Sequence, residues 1–85
     1  MTDREYLLKL IYVAFLDIRD ASRAQDTDTC FMLSDILHNV PLRINLADQG
    51  EMSYAEIVAW VKEKCEASNY SSWLDKATAY TAKLL

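Results

Sequence analysis

Only one glycine, Gly50, and one proline, Pro41, occur in the 85 residues of this chain. Glycine and proline are the strongest local structure breakers, so a sequence nearly without them is held to long regular elements. Outside the stretch between these two residues, the apolar positions recur at helical spacing. The spacing predicts an all-α fold: a compact bundle of four main helices in a single domain, 1-85, with a short helical or irregular joint at 41-50. A chain of this length buries only about 60 to 65% of the surface its unfolded form exposes, so association with a second copy is an expectation from the outset.

Composition narrows the function classes. Hydrophobic residues make up 52% and charged residues 26%, which is enough apolar surface for a folded core and unlike a disordered chain. The net charge is −4, and the nine Lys and Arg residues are spread from Arg4 to Lys83 without a cluster. Nucleic-acid binding needs a basic face, so no nucleic-acid partner is expected. The apolar run 6-16 is interrupted by Lys9 and is too short to cross a bilayer, which takes about 20 residues. It also lacks a small-residue cleavage site after it. No membrane partner is expected, and the location read from these features is cytoplasmic. Cys30 and Cys65 fall on inward-facing positions and read as buried, reduced thiols.

Helix one is expected from Asp3 to Ala24, opening at Thr2 or Asp3 with acids in its first turn. Leu7, Leu8, Leu10, Ile11, Ala14, Phe15, Ile18 and Ala21 form its core arc, with Lys9 and Arg23 on the charged side. Tyr12, Val13 and Leu16 project on that charged side and become interface candidates. Residues 24-29 read as a loop with a built-in cap. Helix two is expected from Thr29 to Asn39, ending because Pro41 disfavours helical geometry in Val40. Leu42, Ile44 and Leu46 alternate like a strand, but no second strand exists to pair with it. A short helix capped by Asn39, with Gly50 as its left-handed terminator, fits better. Helix three starts at Ser53, where Glu56 completes capping-box spacing. Helix four restarts at Ser71 or Ser72 and carries Trp73.

Ser34, Asp35 and His38 share one helix face, which invites comparison with a nucleophile and its base. A mid-helix serine has its neighbouring amides taken up by the helix, leaving no donors for an oxyanion, so no catalytic residues are assigned. His38, the single histidine, reads as capping the end of helix two. One histidine and two distant cysteines do not meet the ligand spacing of a closed zinc site, and neither a metal, a cofactor nor a small-molecule substrate is expected. The remaining signal is a surplus of outward apolar residues. The expected function is a small acidic protein-protein interaction module, homodimeric and non-enzymatic, with Tyr12, Leu16, Phe31, Trp60 and His38 as partner contacts. In size, acidity and helix content the chain also looks like inhibitor, immunity or antitoxin-type proteins, which would bind a basic partner. In that alternative Asp26, Asp28, Asp35, Asp48 and Glu51 would gather into one patch.

Overall fold

The computed structural model describes residues 2-67, together with Asp75 and Ala79. Among the described residues the fold is all-α as expected, but it has three helices rather than four: α1 Asp3–Arg23, α2 Thr27–Asp48 and α3 Tyr54–Ala67. Most of the helix expected from Ser71 or Ser72, Trp73 included, lies outside the described residues. The joint expected at 41-50 is not a separate piece, because the expected helix two and the joint after it are one element. α2 runs without a break from Thr27 through Pro41 to Asp48.

The continuity of α2 has a packing cause. Leu33, Ile36, Val40, Ile44 and Ala47 are all buried, and their spacing of three or four residues keeps one helical phase across the proline. Proline inside a helix costs about 3 kcal/mol relative to alanine. Burying a Val or Ile side chain contributes about 1.5–3 kcal/mol, so Val40 and Ile44 together outweigh that cost. Pro41 itself is exposed, so its ring takes no room in the core. The strand-like alternation of Leu42, Ile44 and Leu46 resolves the same way, with Ile44 buried and Leu42 and Leu46 exposed on the opposite side of α2.

α1 and α2 end by the same device. At the end of α1, the Gln25 amide donates to the Ser22 carbonyl (3.1 Å) and the Asp26 amide to the Ala21 carbonyl (2.9 Å). At the end of α2, the Gly50 amide donates to Ala47 and the Glu51 amide to Leu46, both at 3.0 Å. This Schellman pattern needs a left-handed residue just past the helix. Gly50 supplies it with φ 81°, as the sequence predicts, whereas at the first site it is Gln25 with φ 57°. Asp26 then caps α2 at once: its carboxylate accepts from the Thr29 amide (3.2 Å) and the Thr29 hydroxyl (2.6 Å). The turn between α1 and α2 is therefore only three residues, 24-26, and returns α2 along α1.

The other caps follow the sequence. Thr2 and Glu5 form a capping box on α1, and the Glu56 amide donates to Ser53 Oγ at 3.2 Å to open α3. The core lies between the three helices. Leu7, Leu10, Val13 and Ala14 of α1 meet Leu33, Ile36 and Val40 of α2 and Ile57, Val61 and Cys65 of α3.

The core arc of α1 is rotated from its expected position. Val13 and Lys9 are buried, while Leu8 and Phe15 are 44% and 62% exposed. Apolar residues cover most of α1's circumference, so periodicity fixes a helix but not which edge of the broad arc meets its neighbours. Ala14 and Ala21 are both buried, on the side of α1 away from Leu8 and Phe15. Lys9 can be buried because its aliphatic stem packs like an apolar side chain.

Asp48 ties the open end of the bundle. Arg4 Nε and Nη2 donate to its two carboxylate oxygens, both at 2.9 Å, and the Tyr54 hydroxyl donates to Asp48 Oδ1. One carboxylate thus joins the first turn of α1, the last of α2 and the first of α3. It also offsets the unfavourable placement of an acid at a helix C-terminus. The Arg4 hydrogen bond, then that of Tyr54, lowers the Asp48 carboxyl from an ordinary 3.8 to about 2. A carboxyl lowered by folding stabilises the fold above its unfolded value and stops doing so as pH falls through its folded one. Thermal stability should therefore drop more steeply from about pH 4 to pH 2 in the wild type than in Asp48→Asn. Parallel stability profiles for the two proteins, read by circular dichroism melts, would remove this role from the clasp.

Candidate functional site

The outer face of α1 carries the densest exposed apolar group. Leu8, Tyr12, Phe15 and Leu16 are 44%, 44%, 62% and 36% exposed. Their spacing places them on one side of the helix, within an arc of about 100°. Two of them, Tyr12 and Leu16, are sequence-predicted contacts. The third residue of that group, Val13, is only 1% exposed and belongs to the core. Sequence reasoning missed Leu8 and Phe15, which it placed in the core arc. Their i, i+4, i+7, i+8 pattern with Tyr12 and Leu16 was the signal available.

A second group lies on α2. Phe31, Leu42 and Leu46 are exposed and share a side of the helix with His38 and Asp35, opposite the buried Leu33, Ile36 and Val40. Phe31 thus stands where the sequence places it. His38 does not cap a helix end, because α2 continues to Asp48; it is an exposed mid-helix side chain. Asn39 is likewise interior, and its amide nitrogen donates to the Asp35 carbonyl at 2.9 Å. The α2 stripe is interrupted by these polar groups, and the α1 stripe is not.

Trp60 belongs to a third arrangement. Half-buried, it lies between two cations, with the Arg43 guanidinium 4.2 Å and the Lys64 ammonium 5.5 Å from the ring centroid. Lys64 also pairs with Asp35 at 2.9 Å. Arg43 and Asp35 are on α2, and Trp60 and Lys64 on α3, so this ladder latches the two helices through cation–π and ionic contacts. Because the ring faces two charged neighbours of its own chain, much of its surface is committed within the fold.

The two thiols differ from expectation in one respect. Both are free, with Cys65 buried and Cys30 only half-buried. Burial pushes the Cys65 thiol up to about 11, which keeps it protonated and unreactive at neutral pH.

Ser34, Asp35 and His38 are all exposed on α2, and Asp35 is engaged by Lys64. Among the described residues, no group of three His, Cys, Asp or Glu side chains could hold a metal ion, and no helix is long and apolar enough to cross a membrane. The five carboxylates of the alternative reading do not meet. Asp26 and Asp28 stand at the start of α2 and Asp48 and Glu51 at its end, about 33 Å apart at 1.5 Å per residue. Asp26, Asp35 and Asp48 are moreover engaged by Thr29, Lys64 and Arg4.

No family model, curated protein or solved structure matches this chain. The surfaces above are therefore the whole basis for a functional reading.

Proposed function

We propose that this chain is a small acidic, non-enzymatic protein-protein interaction module that pairs with itself through the outer face of α1. The observation that carries the reading is the uninterrupted exposed stripe Leu8, Tyr12, Phe15 and Leu16. Contiguous exposed apolar surface rimmed by polar residues is the usual mark of an association site. Tyr12 and Leu16 are its central contacts. Phe31 and His38 stand on the separate, interrupted stripe of α2, and Trp60 has the α2–α3 latch as its first role, so these three are assigned a lesser part. The two free thiols support a cytoplasmic location, where cysteines stay reduced.

Four half-exposed side chains cover less than the roughly 800 Å² per partner of a standard stable interface, so the dimer is a weak, concentration-dependent one. Sedimentation equilibrium up to about 1 mM protein reads it. The wild type should approach dimer mass over this range, and Leu16→Glu should remain monomeric, since it buries a charge in the contact. A dimer that Leu16→Glu leaves intact would move the interface off α1.

A further inference from the structure

The α1 stripe is self-complementary about Tyr12. Leu8 and Leu16 stand four residues to either side of it, and Glu5 and Arg19 seven residues to either side. Seven residues advance an α-helix by nearly two whole turns, so Glu5, Tyr12 and Arg19 share a line along the helix to within about 20° per step. Glu5 and Arg19 are both exposed, and Arg19 has no acid partner among the described residues. The apolar stripe therefore ends in a negative charge on one side and a positive charge on the other, at equal distances from its centre. That arrangement fits one kind of partner: a second copy of the same helix running the opposite way.

Resting on the self-association reading above, we propose that two copies pair their α1 helices antiparallel, with Tyr12 at the two-fold axis. Leu8 packs on the partner's Leu16, and Glu5 meets the partner's Arg19. An isologous contact repeats each pair twice, so the interface holds two leucine pairs and two ion pairs around a Tyr–Tyr centre. A parallel pairing would instead set each Glu5 against the partner's Glu5 and each Arg19 against the partner's Arg19. The charges at the ends of the stripe thus select the antiparallel arrangement.

A charge swap tests this. Sedimentation equilibrium at low salt compares the wild type with Glu5→Arg, Arg19→Glu and the double variant E5R/R19E. Each single substitution sets two like-charged pairs facing each other and should weaken the dimer about tenfold. The double variant restores both opposite-charge pairs and should return to within about threefold of the wild type. Added salt should shrink these differences. Glu5→Gln keeps the capping oxygen that accepts from the Thr2 amide and should weaken the dimer only two- to threefold, by loss of charge alone. Circular dichroism melts confirm that each variant is folded. If the double variant is no tighter than the single ones while Leu16→Glu still abolishes the dimer, the antiparallel register is wrong and self-association through α1 stands. A wild type that is monomeric throughout, its stripe covered by another protein or by the rest of the chain, overturns both.

Discussion

Leu33→Ala should cost about 2–5 kcal/mol of stability, the range for deleting a fully buried leucine side chain and leaving a partly collapsed cavity. Leu33 is wholly buried in the core shared by the three helices. A domain of this size has a total stability of roughly 4–13 kcal/mol, so this single truncation consumes a large part of it. At about 4–8 °C per kcal/mol for a small domain, the midpoint should fall by roughly 10–40 °C. Comparison at fixed protein concentration is needed because the proposed self-association would itself add stability. A change below about 1 kcal/mol would mean that the core is loosely packed at this position, contrary to the account.

Pro41→Ala should have the opposite sign. If α2 is one helix through this position, alanine restores the missing backbone donor and relieves the ring's clash with the preceding turn, a gain of up to about 3 kcal/mol. Proline also stiffens the unfolded chain, which offsets about 0.4–1 kcal/mol of that gain. The net expectation is a stabilisation of about 1–2.5 kcal/mol, or a midpoint raised by roughly 5–20 °C. If residues 41-50 were instead a joint, removing its pre-formed turn would destabilise the protein. A lower midpoint for Pro41→Ala than for the wild type would therefore refute the continuous helix.

Helix class, the caps at Thr2 and Ser53, the left-handed role of Gly50 and the exposure of Phe31 were all legible in the sequence, because each depends on residues within a turn of one another. The path of α2 was not. Locally, Val40 and Pro41 argue for a stop, and only the burial of Val40, Ile44 and Ala47 against the other two helices decides for continuation. The buried phase Leu33, Ile36, Val40, Ile44 was in the sequence, but its weight against proline depends on tertiary contacts. The same limit explains Gln25, which holds a conformation usually given to glycine because Asp26 at once closes α1 and caps α2. It also explains the exposed apolar face of α1. Leu8 and Phe15 read as core while α1 is considered alone, since a helix apolar around most of its circumference does not reveal its orientation. Trp60 was legible as a boundary aromatic, but its two cations come from different helices, Arg43 from α2 and Lys64 from α3.

In the proposed dimer, two copies meet through the outer face of α1. Its most direct test is an isotope-filtered NMR experiment on a sample mixed from labelled and unlabelled protein at high concentration, which detects only contacts between chains. Intermolecular contacts are expected between Tyr12 rings and between Leu8 and the partner's Leu16. Intermolecular contacts confined to Phe31, Leu42 and Leu46, or none at concentrations where the protein sediments as a dimer, would contradict it.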